Sequence, residues 1–346
     1  MSRISNLSEL SGISLQDEEK VLQELKDEGF YSSEHLFPIP SLHFELTSHC
    51  NMHCKHCYNN SGNNNCSDEM TVDEWKKFAR YLSDRGGVLE CILSGGEPLL
   101  LGDGIFEIMD ILHEKSTVFY LISNGYLFTD EIAQKLKKYR YHRIQISIDG
   151  VTAEYHDMFR QRDGSWEKAI NATRILSKNN IPFKIAHCVT PYNLYDIDNM
   201  CELALSLGTN YIMIGELCFS GRAADNQDYL LSPEQREYLF DKIKENRAKY
   251  RGIMQIKCSH SVKEGLERHR KTPNSCAVIR PNGDIRIDGM APFIIGNVLK
   301  DDFADIWEHK LYEAWNNPQV LQFISGFGSD DRNHSYINYL EDDIHI

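Results

Sequence analysis

Short apolar runs alternate with amphipathic segments through the middle of the chain. The runs have the length of buried strands, and we predict strands at Leu42–Leu46, Val88–Leu93, Val118–Ile122, Arg143–Ile148, Phe183–Val189 and Tyr211–Ile214. Six strands that alternate with helices predict a parallel sheet, which right-handed crossovers curl into a barrel. The pattern therefore predicts an α/β fold, a partial (β/α)6 TIM-like barrel with its active site at the carboxyl ends of the strands.

Two of the intervening helices carry start signals. Thr71 and Glu74 form a capping box ahead of an apolar stripe. Ser232 is followed by Pro233 at the first helical position and by Gln235 at the box position. These signals fix where two of the predicted helices begin.

The pattern changes on both sides of this region. Residues 1–40 form a leader with one predicted helix over 15–28. Farther along, Pro281-Asn282-Gly283 lies between two apolar runs and predicts a hairpin, and a helix follows over Phe303–Trp315. We expect four parts: the leader 1–40, the barrel 41–250, a small α+β C-terminal extension 251–320 and an acidic tail 321–346.

Charge and hydropathy narrow the class of protein. The 346 residues carry a formal net charge of −14, which argues against nucleic acid or an anionic membrane as a partner. There is no apolar run of about 18 residues, and the first residues lack the apolar stretch of a signal peptide. We expect a cytoplasmic protein whose cysteines stay reduced.

Three cysteines are crowded together after the first predicted strand. Cys50, Cys54 and Cys57 have the spacing C-x3-C-x2-C, and three such thiolates can hold three corners of a cubane iron–sulfur cluster. The next cysteine is Cys66, so one iron is left for an exogenous ligand. A zinc site that uses His53 or His56 is the alternative, although the spacing favours the cluster.

The spacing resembles the signature of the radical S-adenosylmethionine (SAM) superfamily, and four further motifs match in order over residues 41–225. Gly95-Gly96-Glu97-Pro98 resembles the loop that holds the methionine ammonium, and Ser123-Asn124-Gly125 resembles the motif near the ribose. Ser147 to Asp149 with Arg160 resembles the segment that contacts the ribose or the carboxylate. Gly215-Glu216 with Gly221-Arg222-Ala223 resembles the closing loop beside the adenosine.

Taken singly, each of these motifs is also typical of an ordinary turn or a surface charge. Their joint order implies the metal ligands Cys50, Cys54 and Cys57 and a set of cofactor-binding residues: His56, Tyr58, Gly95, Gly96, Glu97, Ser123, Asn124, Ser147, Asp149, Arg160 and Glu216.

The resemblance also implies the chemistry. One three-cysteine [4Fe–4S] cluster would reduce S-adenosylmethionine, and the resulting 5′-deoxyadenosyl radical would take a hydrogen atom from a substrate. A reduced flavodoxin or ferredoxin would supply the electron. The protein would bind and orient the reactants and exclude water, while the cofactor carries the difficult chemistry.

Residues 253–315 resemble the SPASM/twitch extension of peptide-modifying members. The resemblance rests on Arg280–Ile285, Ile295–Val298 and Phe303–Trp307. Where such an extension has a cysteine, this chain has Asp288, and no cysteine follows Cys276. We therefore expect a degenerate extension without an auxiliary cluster, although Asp288 or His260 can still act as a ligand.

This group implies a ribosomally synthesised precursor peptide as the substrate, modified by a side-chain crosslink or by epimerisation. Cys218 and Cys258 are candidate hydrogen donors for an epimerase, with burial as small apolar groups as the alternative. Three further functions stay open: sulfatase-maturase-like oxidation of a protein side chain, radical chemistry on a small molecule and a non-catalytic scaffold.

Overall fold

The structure is a computed structural model that describes residues 38–62, 68–218, 220–258, 262–327 and 343–346. The predicted leader helix over 15–28, Cys66 and His260 lie outside the described residues.

The strands form one sheet with a parallel core. In chain order they are β1 Ile39–Glu45, β2 Val88–Ser94, β3 Val118–Ser123, β4 Arg140–Tyr141, β5 Ile144–Ser147, β6 Phe183–Val189, β7 Tyr211–Glu216, β8 Gln255–Cys258, β9 Ala277–Ile279, β10 Asp284–Asp288, β11 Ala291–Asn297 and β12 Ile344–His345. The sheet order is β12-β11-β10-β9-β1-β2-β3-β5-β6-β7-β8, and β4 pairs with β3. All six predicted strands are present in the predicted parallel order.

Helices connect the parallel strands. They are α1 Val72–Asp84, α2 Gly104–His113, α3 Asp130–Leu136, α4 Ala153–Arg160, α5 Ser165–Lys178, α6 Ile197–Ser206, α7 Pro233–Lys249, α8 Val262–Lys271, α9 Phe303–Asp305, α10 Leu311–Ala314 and α11 Pro318–Gly326. A π-helical turn, Ile306–Lys310, joins α9 to α10. No helix of the described residues is long and apolar enough to span a membrane.

The predicted start signals act as caps. Thr71 and Glu74 close the capping box at the start of α1, and Ser232 and Gln235 close the box that starts α7. These reciprocal bonds satisfy backbone donors that the first helical turn leaves unpaired.

Alternate positions of β1 face opposite sides of the sheet. Phe44 is buried on the helix side, where its ring lies 5.0 Å from that of Trp75 and 5.7 Å from that of Phe78 in α1. His43 and Glu45 lie at the alternating positions, and His43 bonds Ser94 of β2 across the other face. That face therefore carries polar side chains, while the helix side carries the core.

The C-terminal extension continues the sheet instead of forming a separate layer. The predicted hairpin is present as β9 and β10, and β9 pairs in parallel with β1 through Leu42 and Ala277, and Phe44 and Ile279. The last described residues form β12, which pairs in parallel with β11. β8 lies beyond the predicted boundary at 250, yet it extends the parallel sheet of the barrel next to β7. The helix α11 spans the predicted boundary at 320.

Candidate active site

The three cysteines lie on the loop that follows β1, which we call the cluster loop, residues 46–62. The Cys54 thiol is buried, and Cys50 and Cys57 are partly exposed. Burial raises the pKa of Cys54 to about 12; Arg160 opposes this rise, and Cys57 and Cys50 add to it. The three sulfur atoms therefore lie close enough to influence one another electrostatically.

Backbone hydrogen bonds shape the cluster loop. The Cys57 amide donates to the Cys54 carbonyl at 3.2 Å, and the Ser61 amide donates to Cys57 Sγ at 3.3 Å. The Lys55 amide donates to the carbonyl of Phe159 in α4 at 2.9 Å. These bonds fix the loop locally and attach it to the helix that follows β5.

A second loop holds the cluster loop by its carbonyl oxygens. In this segment, residues 220–223, which we call the clamp, Arg222 Nε donates to the Cys54 carbonyl at 2.8 Å and the Arg222 amide donates to the Cys57 carbonyl at 3.0 Å. Gly221 lies so close that a Cβ there would be 2.3 Å from the Cys57 oxygen. The predicted closing loop is thus in direct contact with the cluster loop.

The glycine loop after β2 lies against the cluster loop. A Cβ on Gly96 would be 2.0 Å from the His49 carbonyl oxygen, and one on Gly95 would be 2.4 Å from the Thr47 carbonyl oxygen. The Glu97 amide donates to the His49 carbonyl at 2.9 Å. Only glycine permits this approach of two backbones.

The Glu97 side chain ties the ends of β2 and β3 together. Its fully buried carboxylate accepts bonds from Ser123 Oγ at 2.9 Å and from the amides of Asn124 at 2.8 Å and Leu99 at 3.2 Å. Burial raises the pKa of Glu97 to about 7 in spite of these donors.

Asn124 links the end of β3 to the cysteines. Its Nδ2 donates to Asn51 Oδ1 at 2.8 Å and lies 3.8 Å from Cys50 Sγ. The predicted Ser123-Asn124 motif and the predicted ligand Cys50 are therefore brought together.

A buried ion pair lies at the end of β5. Arg160 Nη2 is 2.7 Å from Asp149 Oδ2, and His56 Nε2 of the cluster loop is 3.4 Å from the same oxygen. Burial opposes ionisation of Asp149, but the Arg160 guanidinium overcomes this and holds its pKa below the usual range. Burial lowers the pKa of His56 to about 4, so the imidazole is neutral at pH 7 while its ring stacks 4.1 Å from that of Phe159.

The other predicted residues lie farther from this network. Ser147 pairs in register with Ala186 of β6, and Glu216 Oε2 accepts a bond from Arg236 Nε of α7 at 2.7 Å. Cys218 Sγ is 3.8 Å from Met290 Sδ of the extension. Burial raises the pKa of Cys218 to about 12 and also raises that of Cys258 at the end of β8.

Sequence reasoning missed one residue beside the cluster loop. Glu45 is fully buried and accepts bonds from Asn59 Nδ2 at 2.9 Å and from the Tyr58 hydroxyl at 3.4 Å, and its other oxygen is 2.5 Å from Arg280 Nη1. The available signal was a carboxylate inside a predicted buried strand, because such a charge is almost never buried without a partner.

The donor set fits a cluster and a polar cofactor. In the described part of the chain, Asn51 Nδ2, His56 Nδ1 and Arg160 Nε are buried without a hydrogen-bond partner, although buried polar atoms are normally bonded. Over the same residues, no three His, Cys, Asp or Glu side chains surround a single-ion site. A cubane cluster does not need its ligands to surround one ion, since each thiolate binds a different iron.

Comparison with known proteins decides the family. The family model described as "Radical SAM superfamily" matches residues 44–204. The AdoMet-dependent heme synthase of Methanosarcina barkeri is 30% identical over 301 residues, covering 81% of this chain and 85% of that protein. The chain belongs to the radical SAM superfamily. It is therefore an enzyme of that class, and membership implies a [4Fe–4S] cluster and S-adenosylmethionine as cofactors.

Two other relatives of this radical SAM enzyme are named as a maturase and as a peptide cyclase. Mycofactocin maturase MftC of Mycolicibacterium smegmatis is 31% identical over 305 residues, covering 84% of this chain and 76% of that protein. The PqqA peptide cyclase of Granulibacter bethesdensis is 26% identical over 298 residues, covering 84% and 77%.

Solved structures confirm the radical SAM fold. Streptococcus suis SuiB bound to S-adenosylmethionine superposes with a TM-score of 0.65 at 15% identity, over 87% of this chain and 72% of that one. SuiB bound to its precursor peptide SuiA gives a TM-score of 0.60 at 16% identity, over 86% and 70%.

Proposed function

We propose that this radical SAM enzyme modifies a ribosomally synthesised peptide, by a side-chain crosslink or by epimerisation. The observation that carries the radical part is the contact network that joins the cluster loop to the carboxyl ends of β2, β3 and β5. The peptide part is supported by a relative named as a peptide cyclase and by a fold shared with a protein solved with its precursor peptide.

In this proposal Cys50, Cys54 and Cys57 hold the cluster. When bound, the cluster and S-adenosylmethionine supply the radical chemistry. The unpaired Arg160 Nε and Asn51 Nδ2 offer buried donors to the carboxylate or ribose oxygens of the cofactor. The Glu97 carboxylate has a raised pKa in its buried setting, and the arrival of an ammonium group would lower that pKa and favour the ionised form.

The remaining cofactor contacts are proposed through loop geometry. Gly95 and Gly96 let the loop after β2 reach the cluster loop, and the neutral His56 ring packs on Phe159 beside it. We propose the cytoplasm as the site of action and a reduced flavodoxin or ferredoxin as the electron donor, since free, partly exposed cysteines and a low-potential cluster need a reducing compartment.

Release of 5′-deoxyadenosine tests the radical part. Anaerobic incubation with dithionite and S-adenosylmethionine should produce it, and Cys54→Ala should abolish it. Cys201→Ala is the control, because Cys201 is also buried but lies in α6. Production by Cys54→Ala at the unmutated rate would refute the assignment of the cluster ligands.

Mass spectrometry tests the peptide part. A candidate precursor peptide, for which short reading frames beside this gene are the first to test, should lose two hydrogens on co-expression if a crosslink forms. It should keep its mass but take up deuterium from heavy water if a residue is epimerised. Release of 5′-deoxyadenosine without any change in the peptide would point to a small-molecule substrate instead.

The side chains of the extension favour a single cluster. Asp288, at the position where a cysteine is expected, pairs with His269 and accepts a bond from the Met290 amide at 2.6 Å. A carboxylate with these partners is already satisfied without a metal. After reconstitution we expect about four irons per chain, and about eight would contradict a single cluster.

Cys218 is our proposed hydrogen donor if the reaction is an epimerisation. It follows β7 on the same side as the clamp, and its sulfur contacts the extension through Met290. Cys218→Ala should then stop deuterium uptake by the peptide and leave 5′-deoxyadenosine release intact, whereas Cys258→Ala should change neither. The reverse pattern would assign the role to Cys258.

A further inference from the structure

Four charged side chains are buried together beside the cluster loop. Arg280 bridges two carboxylates, with Nη1 2.5 Å from Glu45 Oε2 and Nε 3.1 Å from Asp343 Oδ2. Arg286 Nε is 3.4 Å from Asp343 Oδ1 and donates to the Ala291 carbonyl at 2.7 Å. All four side chains are at most 3% exposed.

Asp343 is the carboxylate that both arginines contact among the described residues. Two arginines face two carboxylates, and Glu45 is already engaged by Asn59 and Tyr58 as well as by Arg280. Removal of Asp343 would take away a carboxylate that two buried guanidinium groups contact, which is costly because a buried charge needs a partner. The pair Arg280 and Arg286 therefore binds a carboxylate at the position of Asp343.

Residues 343–346, which include Asp343, pair with the edge of the sheet as a bound peptide would. Ile344 and His345 add a two-residue strand to the edge of β11, opposite Phe293 and Ile294, and the Ile346 amide donates to the Ile294 carbonyl at 3.0 Å. Ile344 is 42% exposed, so this strand buries little of its own surface. Strand addition at a sheet edge is a general mode of peptide recognition.

The end of this segment reaches a cavity on the extension. Ile346 lies at a cavity of about 330 Å³ that is also lined by Ile295, Ala314 and Asn317. The edge of β11 thus offers two anchor points to an extended chain. One is the pair of arginines for a carboxylate, and the other, three residues later, is a cavity with a lining that is partly apolar, from Ile295 and Ala314, and partly polar, from Lys310 and Asn317.

The arginine pair is joined to the reaction centre by direct contacts. Asp343 contacts Arg280, Arg280 contacts Glu45, and Glu45 accepts bonds from Tyr58 and Asn59 of the cluster loop. A ligand bound in place of Asp343 would therefore lie two side chains from the loop that carries the cysteines.

We propose that Arg280, Arg286 and the edge of β11 form a docking site for the peptide substrate, which the chain's own residues 343–346 occupy in its absence. The ligand is an extended segment with an acidic residue three positions before an apolar one, the pattern of Asp343 and Ile346. The inference rests on the proposed function in taking a peptide as the substrate. A substrate segment displaces residues 343–346 to bind.

A labelled tetrapeptide tests the site without any need for turnover. The probe is fluorescein-labelled Asp-Ile-His-Ile, followed by fluorescence anisotropy with the reconstituted enzyme. It should bind the full-length Asp343→Asn variant at least about tenfold more tightly than the unmutated enzyme, whose site is filled, since a charge-assisted bond of this strength is lost from the competitor. A variant that lacks residues 343–346 should bind it equally well or better.

Two controls make the result specific. The probe Asn-Ile-His-Ile should bind the same variants about tenfold more weakly. Adding Arg286→Met to the Asp343→Asn variant should abolish binding, whereas adding Arg270→Met, an arginine that pairs with Glu267 on α8, should not. Equal binding of both probes, or equal binding to unmutated and variant enzyme, would overturn the proposal. A failure to release 5′-deoxyadenosine would instead count against the proposed function alone.

Discussion

Asp149 and Arg160 place opposite charges in a setting that excludes water, at the point where α4 returns to the cluster loop. Such a pair stabilises a fold little compared with apolar residues of the same volume, but the removal of one partner leaves an isolated buried charge. The remaining buried donor of this pair, Arg160 Nε, is the atom we assign to the cofactor.

We expect Arg160→Met to lower the free energy of unfolding by about 3–5 kcal/mol, because it strands the Asp149 carboxylate. The double variant Asp149→Asn with Arg160→Met should recover part of that loss. Urea unfolding measures both. Arg162→Met is the control, since Arg162 is exposed and lies 5.0 Å from the Tyr126 ring, and its change should stay within about 1 kcal/mol. Equal losses for the two arginines would contradict the argument.

Glu45 makes the free energy of unfolding depend on pH in the acid range. Burial opposes its ionisation, yet Arg280 beside it lowers its pKa to about 2. A lowered carboxyl pKa stabilises the fold above the unfolded pKa, and that contribution is lost as the pH falls from about 4.5 toward 2. The double variant Glu45→Gln with Arg280→Met should lack this loss.

Between pH 7 and pH 4 the unmutated chain should therefore lose about 1 kcal/mol more than the double variant. Urea unfolding of both chains, prepared without the cluster, measures the difference. Parallel loss in the two chains would show that Glu45 and Arg280 are not coupled in this way.

At the scale of single residues, the sequence identified most of the side chains of the site but not all of the contacts between them. Cys50, Glu97, Asn124 and Arg160 were predicted from motif order, and the structure brings them to one end of the sheet. Glu45 was missed because its partner Arg280 is 235 residues away, and no local pattern encodes such a contact.

At the scale of elements, the loops after β1 and β2 approach each other more closely than a side chain at Gly95 or Gly96 would allow. Gly96→Ala would place a Cβ 2.0 Å from the His49 carbonyl oxygen, so one backbone must move. We expect this variant to lose most of the visible absorption of the cluster after reconstitution. Gly265→Ala in α8 is the control, since nothing lies near its Cβ, and it should stabilise the helix by up to about 1 kcal/mol. Normal cluster absorption in Gly96→Ala would contradict the close approach.

The elements that the sequence predicted have strong local signals. The six barrel strands were placed with ends that differ by at most three residues, and both capping boxes form. β8 was missed because Gln255–Cys258 is only four residues long and half polar. β12 was missed because two residues in a polar stretch form a strand only when β11 is already in place.

Across the whole molecule, barrel and extension share one sheet, with β9 paired to β1 in the middle of the strand order. We expect them to unfold in one transition. Hydrogen exchange in increasing urea should show residues 39–45 and 284–288 losing protection at the same concentration. Earlier loss in 284–288 would show that the extension opens independently.

The hydrogen bonds between the clamp and the cluster loop affect which positions of the loop can change during evolution. Arg222 and Ser220 hold carbonyl oxygens, which every residue possesses, so the hold does not depend on the identity of the residues between the cysteines. The exposed position of His53 is therefore open to replacement while the anchorage of the loop stays the same, whereas Asn51 and His56 are constrained by their side-chain contacts with Asn124 and Asp149.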